Sequence, residues 1–270
     1  MTDATALYLD LLKRCLTESI YDEDTYEPVK KPRGFLMRKI FDLLDRRGIK
    51  LVRLRPFDRQ LRAEGRDWPP LAHTMIGRKR LDNLQFCVED VLANDIPGDL
   101  IEAGVWRGGA SIFMRAILKA HDVRKRCVWV ADSFEGLPSP DARKYPADAA
   151  SAFHTQEALA VSLEQVKLNF SRYGLLDEQV RFLKGWFRDT LPTTSDRRWA
   201  VIRLDGDMYE STMNALVNLY PNLSLGGYVI IDDYGAVPAC RQAVHDYREG
   251  HGIREEIRPI DWTGVFWQRG

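Results

Sequence analysis

The segment that decides the fold is residues 100–111, LIEAGVWRGGAS. An apolar run of strand character ends at Gly104, and after two further glycines the sequence continues with helical spacing. Glycines at such a turn let the backbone bend tightly and approach a ligand closely. The spacing G-x-x-x-G-G differs from the G-x-G-x-x-G of dinucleotide-binding turns. The segment is therefore either an ordinary strand-to-helix turn or the binding turn of an α/β sheet with another ligand.

Around this segment, apolar strand-like runs alternate with helical segments from residue 98 onward. Strands separated by helices of about 10–15 residues indicate β-α-β units, and the right-handed crossover rule then predicts a Rossmann-like α/β fold with a doubly wound, mostly parallel sheet. The loop 137–159 is long, and we expect it to be a mobile lid. The predicted strands are 100–105, 127–131, 180–183, 200–204, 228–231 and 264–268. The predicted helices between them are 110–120, 162–173, 211–220 and 238–249.

The region before the sheet shows shorter helical patterns at residues 5–18 and 34–47. In the first of these helices, the predicted apolar face carries Leu7, Leu11, Leu12 and Cys15. We therefore assign residues 1–70 to a helical lid or oligomerisation segment and residues 71–270 to the sheet domain.

The charge of this N-terminal region is uneven beneath a neutral total of 39 basic and 39 acidic residues. Residues 1–29 hold two Lys and Arg against seven Asp and Glu, whereas residues 30–66, the basic segment, hold thirteen against four. Three interpretations of the basic segment stay open. It is a solvated helix face, a contact with an acidic surface such as residues 1–29 of a second subunit, or a nucleic-acid site. The last ranks lowest because regular interleaved aromatic residues are missing.

Composition argues against several classes of protein. A net charge of zero and 45% hydrophobic residues disfavour a disordered chain and a nucleic-acid binder with an overall basic field. The four cysteines form no C-x-x-C pair, and the charged first twenty residues contain no signal-peptide core. No apolar run approaches the roughly 20 residues that span a bilayer. We expect a cytoplasmic protein with neither membrane nor nucleic acid as a partner.

Acidic side chains follow two neighbouring predicted strands. Asp205 and Asp207 come directly after one strand, and Asp232 and Asp233 follow the next. If these strands share the sheet, Asp205, Asp232 and Asp233 converge at one edge, where unpaired carboxylates repel one another. Carboxylate oxygens without nearby Cys or His favour Mg²⁺, Mn²⁺ or Ca²⁺. The alternative is that these acids are solvated or paired with Arg203 or other basic side chains.

Residues at the other strand ends suit an adenosine-type ligand. Asp132 ends the second predicted strand, where a carboxylate can accept hydrogen bonds from both hydroxyls of a ribose. Otherwise it caps the next element. Trp186 and Phe187 follow the third strand and either stack on an adenine or pack in the core. Thr74 and Met75 precede the sheet, in a segment that could close over a cofactor.

Five motifs in this order resemble the macrocin O-methyltransferase family, whose bacterial members methylate sugar hydroxyls on antibiotics and other glycosylated natural products. The resemblance runs from about residue 72 to the end of the sequence, and TESIYDED at 17–24 fits it too. Glu102, an acid just before the first glycine, resembles the first motif of S-adenosylmethionine methyltransferases. The five motifs are IEAGVWRGG (101–109), ADSFEGLP (131–138), GWFRDTLP (185–192), RLDGDMYEST (203–212) and GGYVIIDDY (226–234).

The resemblance implies the class I methyltransferase fold and S-adenosylmethionine as the cofactor. Glu102 and the backbone after it would hold the methionine part, Asp132 would bind the ribose, and Ser133 and Trp186 would lie near the adenine. The residues assigned to the cofactor in this way are Thr74, Met75, Glu102, Ala103, Gly104, Val105, Asp132, Ser133, Phe134, Trp186 and Phe187.

The resemblance also implies a Mg²⁺ ion on Asp205, Asp232 and Asp233, a glycosylated small-molecule substrate, and a homodimer or higher homo-oligomer. A sugar hydroxyl holds its proton tightly, and a cation lowers the pKa of a hydroxyl that it binds. We expect two neighbouring hydroxyls to chelate Mg²⁺ and Asp205 to take the proton. Asp207 would support the metal ligands, and His154 in the long loop is the rival base.

Two other functions stay open at this point. A catechol-type O-methyltransferase acting on a phenol needs the same cofactor and the same cation, because vicinal hydroxyls chelate a metal in either case. A nucleotide-binding or interaction module is the non-enzymatic alternative, since a fold alone does not give a function. The acceptor sugar and the hydroxyl that is methylated have no readable motif.

Overall fold

A seven-stranded sheet forms the centre of the protein in a computed structural model, which describes residues 3–21, 23–29, 32 and 34–270. The strands are β1 (Thr25–Pro28), β2 (Val52–Arg55), β3 (Asp99–Ala103), β4 (Val128–Asp132), β5 (Val180–Lys184), β6 (Trp199–Leu204), β7 (Leu223–Ile231), β8 (Arg258–Pro259) and β9 (Val265–Gln268). The helices are α1 (Ala4–Leu16), α2 (Phe35–Arg46), α3 (Arg59–Glu64), α4 (Arg78–Ala93), α5 (Gly109–Ala120), α6 (Leu163–Arg172), α7 (Phe187–Thr190), α8 (Tyr209–Leu219) and α9 (Pro238–Gly250).

The strand order of the large sheet is β5-β4-β3-β6-β7-β9-β8. The first five strands in this order run parallel, and β9 is antiparallel to β7 and β8. The order reverses between β3 and β6, which is the arrangement of a doubly wound sheet. The predicted Rossmann-like α/β class is therefore confirmed. The predicted strand 228–231 begins earlier, at Leu223, and the two-residue strand β8 lay outside the prediction.

Helices cover both faces of the sheet, so its central strands are buried on both sides. All six residues of β6 are buried, as expected for a central parallel strand. One core cluster contains residues from α1, α4 and α5, and the other contains residues from α8 and α9. None of the helices among the described residues is long and apolar enough to cross a membrane.

Helix α1 packs against α4 and α5 as part of the first core cluster. The predicted apolar face was wrong in part, because Leu7 and Leu11 are 58% and 51% exposed. The buried face carries Leu12, as predicted, together with Leu9 and Leu16. Both stripes have helical spacing, and only the position of α5 decides which one turns inward.

The rest of the N-terminal region contains a small sheet as well as helices. Strands β1 and β2 pair antiparallel on either side of α2. Phe41 of α2 is buried, whereas Phe35 and Leu36 are 76% and 71% exposed. The basic segment thus forms α2, β2 and α3, while its residues 30, 31 and 33 lie outside the described residues.

Candidate active site

A cleft opens at the carboxyl ends of the parallel strands, where the strand order reverses. Ligands of doubly wound sheets bind at this place. The cleft and the open solvent at its mouth together hold about 750 Å³ of empty space. Its lining residues are Met75, Gly104, Val105, Trp106, Asp132, Ser133, Gly136, Leu137, Pro138, Leu159, Trp186, Phe187, Arg188, Asp205, Gly206, Asp207, Glu210, Ser211 and Asn214.

Two turns meet at the base of the cleft, and Gly104 makes this contact possible. Its φ is +92°, and a Cβ placed on it would lie 1.7 Å from the carbonyl oxygen of Asp205. The backbone N–H of Asp205 donates to the carbonyl oxygen of Ala103 at 2.9 Å. A side chain at position 104 would push the turn after β3 away from the turn after β6. The glycine in the first motif therefore serves a close approach within the chain.

Asp132, at the end of β4, organises the neighbouring turns. Its Oδ2 accepts a hydrogen bond from the N–H of Val105 at 2.8 Å, and its Oδ1 accepts one from the N–H of Phe134 at 2.7 Å. Burial raises the pKa of this carboxyl despite these bonds. Because each oxygen has a second lone pair, Asp132 can still accept hydrogen bonds from a ligand in the cleft.

The structure describes all the residues that we predict to bind the cofactor. Seven of them line the cleft, and four do not. Thr74 is buried, and its Oγ1 accepts a hydrogen bond from Ile76. Phe134 packs in the core. The other two are Glu102 and Ala103, which are buried in β3. The seven that line the cleft are Met75, Gly104, Val105, Asp132, Ser133, Trp186 and Phe187.

Three carboxylates meet beside the cleft, at the ends of β6 and β7. The strands pair with Leu204 opposite Ile231, so the residues that follow them lie side by side. Oxygens of Asp205, Asp232 and Asp233 all lie within 4.8 Å of one another. The predicted convergence of these three residues, which we name the acid cluster, is confirmed.

Two arginines hold the acid cluster from behind. The guanidinium groups of Arg80 and Arg203 each bind one oxygen of Asp232. Arg203 also donates to Glu102 and, at 3.0 Å, to Asp205. Arg80 donates to Asp261 at 3.0 Å. Pairing of these acids with Arg203 is the alternative to a metal site that the sequence leaves open. The structure shows this pairing for Asp205 and Asp232.

Sequence reasoning missed Arg80, which lies in α4 and is 152 positions from Asp232. A usable signal was available: Arg80 precedes the buried Leu81 and Leu84 on the inner face of α4. A charged residue on such a face needs a buried partner of opposite charge.

The acid cluster carries more negative charge than the two arginines neutralise. Burial, followed by the charge of Asp232, raises the pKa of Asp205 to about 6. Burial and the charge of Asp205 raise the pKa of Asp207 to about 7. Burial and the charge of Asp207 hold the pKa of Asp233 well above its usual value. Carboxylates that resist ionisation in this way, with oxygens within reach of one ion, fit a hard divalent cation.

His154, the rival base, lies in a short 3₁₀ turn of the long loop. Its side chain is exposed, and His154 is not among the described residues that line the cleft.

The chain matches the family model described as Macrocin-O-methyltransferase (TylF) over residues 5–269. It is 55% identical over 267 residues to 8-demethyl-8-(2,3-dimethoxy-alpha-L-rhamnosyl)-tetracenomycin-C 4'-O-methyltransferase of Streptomyces olivaceus, with 98% of this chain and 94% of that protein covered. Mycinamicin III 3''-O-methyltransferase of Micromonospora griseorubida is 52% identical over 266 residues, with 97% and 96% covered. The solved structure of the O-methyltransferase NovP has a TM-score of 0.84 at 49% identity, with 98% of this chain and 99% of that chain covered. These matches span the sheet, the cleft and the acid cluster together, and the chain is an O-methyltransferase that belongs to the macrocin O-methyltransferase family.

Proposed function

We propose that this protein transfers a methyl group from S-adenosylmethionine to a sugar hydroxyl of a glycosylated natural product in antibiotic biosynthesis, with Mg²⁺ as a second cofactor. The acid cluster beside the cleft carries this proposal, because its oxygens lie within 4.8 Å of one another. The relative from Streptomyces olivaceus is named for a rhamnosyl-bearing tetracenomycin. We therefore propose a deoxysugar of the rhamnose type as the acceptor.

The cofactor would lie along the turns after β3, β4 and β5. The oxygens of Asp132 would accept hydrogen bonds from the ribose, and the indole of Trp186 would stack near the adenine. Met75 would cover the cofactor from the other side. When bound, S-adenosylmethionine supplies a methyl group on a positively charged sulfur, already activated for transfer to oxygen.

Glu102 supports this cofactor site from the interior. It lies opposite Arg203 on the adjacent strand and accepts hydrogen bonds from Arg203 and from Ser111 of α5. We propose that it fixes the turn that begins at Gly104, whose backbone would hold the methionine part. Burial raises the pKa of Glu102 to about 7, although the charge of Arg203 lowers it.

Mg²⁺ would be held by Asp205, Asp232 and Asp233. The two oxygens of Asp232 are bound to arginines, so each would offer its remaining lone pair. When bound, Mg²⁺ would lower the pKa of a hydroxyl group beside it.

Asp205 is the residue that we propose to take the proton of the sugar hydroxyl. It lines the cleft, and Arg203 fixes its orientation by donating to Oδ2 at 3.0 Å. In the metal-free protein, burial followed by the charge of Asp232 raises the pKa of this carboxyl to about 6. With Mg²⁺ on one oxygen of Asp205, its other oxygen would accept the proton. Asp207 also lines the cleft and is the second candidate base, whereas the exposed His154 has the weaker position.

Product analysis tests the proposed function directly. The protein is incubated with S-adenosylmethionine and a panel of rhamnose-bearing glycosides and their aglycones, with Mg²⁺ or with excess EDTA. Mass spectrometry should show a gain of one CH₂ unit on the sugar, with Mg²⁺ present. Methylation of phenolic aglycones, with the glycosides unmodified, would mean that the acceptor is a catechol-type phenol and not a sugar.

We also propose that residues 1–70 form an oligomerisation segment and that a second copy of this chain covers α2. The exposed apolar residues of α2 support this, because clustered apolar side chains on a surface mark interfaces. Its exposed residues are Phe35, Leu36, Met37, Ile40 and Leu43.

Light scattering after size-exclusion chromatography tests this contact. The wild-type protein should run as a dimer or larger oligomer, and Phe35→Asp should shift it toward the monomer. Lys125→Asp, an exposed change outside residues 1–70, is the control. A contact through the apolar residues of α2 should survive high salt, whereas a contact through the charged residues of the basic segment should weaken. A monomeric wild-type protein contradicts the proposal.

The state of the cysteines bears on where the enzyme works. The four cysteines are free thiols. This supports our proposal that the enzyme works in the reducing cytoplasm.

A further inference from the structure

The loop 137–159, which we name the strap, lies docked on the protein in this structure. Asp148, near its middle, is 1% exposed. Its Oδ1 accepts a hydrogen bond from the N–H of Tyr209 at 2.7 Å, and its Oδ2 accepts one from the N–H of Glu210 at 2.9 Å. Both N–H groups belong to the first turn of α8. The strap thus binds the start of this helix through a buried carboxylate.

Helix α8 needs such a partner, because the first N–H groups of a helix have no acceptor within it. Met208 precedes the helix, and its thioether is a poor hydrogen-bond acceptor. Asp148 therefore supplies the cap from 61 positions away, and its negative charge suits the positive end of the helix dipole.

The same helix follows the turn that carries the proposed base. Asp207 in this turn has a φ of +55°, a left-handed conformation that costs a non-glycine residue about 1 kcal/mol or more. Such a conformation persists only when its surroundings hold it. On one side, the N–H of Asp207 donates to Asp233 at 3.1 Å. On the other side, Asp148 holds the helix that begins two residues later.

The far end of the strap is held by the cofactor side of the cleft. The indole N–H of Trp106, in the turn after β3, donates to the carbonyl oxygen of Ala158 at 2.8 Å. Leu137, Pro138 and Leu159 of the strap also line the cleft. The strap therefore connects the turn after β3 with the start of α8, directly after the turn that carries Asp205 and Asp207.

We propose that Asp148 is a positioning residue that couples docking of the strap to the arrangement of the acid cluster. When Asp148 is bound to α8, the turn with Asp205 and Asp207 is fixed for binding a divalent cation. When the strap is released, the turn relaxes and the cation binds more weakly. This inference rests on the proposed metal-dependent function.

The test compares Asp148→Ala with Asp141→Ala, a matched control in the same loop. Asp141 is exposed and accepts hydrogen bonds from its near neighbours Arg143 and Lys144. Mn²⁺ alone is titrated into each protein and followed by electron paramagnetic resonance, at a temperature where circular dichroism shows the native fold. Trypsin cleavage after Arg143 and Lys144 reports release of the strap.

Asp148→Ala should weaken Mn²⁺ binding about tenfold or more and speed tryptic cleavage relative to the wild type, while Asp141→Ala should leave Mn²⁺ binding unchanged. Asp148→Asn keeps one acceptor oxygen and should fall between the wild type and Asp148→Ala. Faster cleavage with unchanged Mn²⁺ affinity would overturn the inference, because Asp148 would then hold only the strap.

Failure of the proposed function has a different signature. A wild-type protein that binds no Mn²⁺ contradicts the metal site. The inference is then decided by turnover with an accepted glycoside, where Asp148→Ala should lower kcat with little change in KM for S-adenosylmethionine. A wild-type kcat in this variant overturns it.

Discussion

Asp232 and Asp233 are neighbours in one proposed metal site, and yet the same substitution should destabilise the protein only at Asp232. Asp232 binds Arg80 and Arg203, whose side chains are 6% and 2% exposed. In Asp232→Asn, the amide oxygen can still accept a hydrogen bond from one of the two guanidinium groups. The amide NH₂ group would face the other guanidinium group, and because both are donors, no hydrogen bond can form between them. Asp233→Asn removes a carboxyl whose ionisation is already disfavoured by burial and by Asp207. Its amide oxygen can still accept the N–H of Asp207.

The magnitudes follow from these contacts. Breaking a buried ion pair by removing one partner costs about 3–5 kcal/mol. We take the lower end, about 3 kcal/mol, for Asp232→Asn, because Glu102, Asp205 and Asp261 still compensate the arginines. At about 2–4 °C per kcal/mol in a protein of this size, Tm should fall by roughly 6–12 °C. Asp233→Asn should leave Tm within about 3 °C of the wild type or raise it.

Differential scanning calorimetry in EDTA at about pH 8 measures both variants above the pKa values of Asp205 and Asp207, about 6 and about 7. Titration with Mg²⁺ then checks that both variants bind the cation more weakly than the wild type. The reasoning is refuted if Asp232→Asn unfolds within about 2 °C of the wild type, or if Asp233→Asn loses as much stability as Asp232→Asn.

Three further predictions follow from the same site. Excess EDTA should abolish methyl transfer, and added Mg²⁺ should restore it; full activity in EDTA would contradict the metal proposal. Asp205→Asn should also abolish methyl transfer, with an unchanged circular dichroism spectrum. The pKa values of Asp205 and Asp207, raised to about 6 and about 7, mean that the folded protein binds protons which the unfolded chain has released. The free energy of unfolding in EDTA should therefore fall as pH rises from about 5 to 8, and calorimetry that shows a rise would refute this. Asp132→Ala should weaken S-adenosylmethionine binding at least about tenfold by isothermal titration calorimetry, since each lost hydrogen bond to a charged group is worth about 1.5–3 kcal/mol, while Asp141→Ala should bind normally.

The sheet and its acid cluster could be predicted because they depend on local patterns. Apolar runs alternating with helical segments fixed the parallel strands, and ligands of such sheets bind beyond the carboxyl ends of the strands. Asp205 and Asp232 each follow one of these strands directly, so their approach required only that β6 and β7 be adjacent.

The partners of these acids could not be predicted in the same way. Glu102 lies near the first glycine in the sequence, which suggested the cofactor, but the register of β3 and β6 places it opposite Arg203. Register between distant strands leaves no trace in local spacing. Arg80 and Asp148 reach their partners over 152 and 61 positions, and neither belongs to a periodic motif. The prediction of the buried face of α1 was wrong in part for a related reason. Two apolar stripes have helical spacing, and only contact with the neighbouring helix determines which of them is buried.

The two-arginine clamp on Asp232 has a consequence for how enzymes with this site can diverge. Substitutions of Arg80, Arg203 or Asp232 themselves should change cation binding and stability together, so few of them should survive selection. Leu137, Pro138 and Leu159 of the strap and the half-exposed Arg188 line the same cleft without belonging to the clamp. New acceptors are therefore most easily reached by changing the strap side of the cleft, while the acid side stays constant. A library that varies only these positions should retain folded members and still reshape the room available to the sugar.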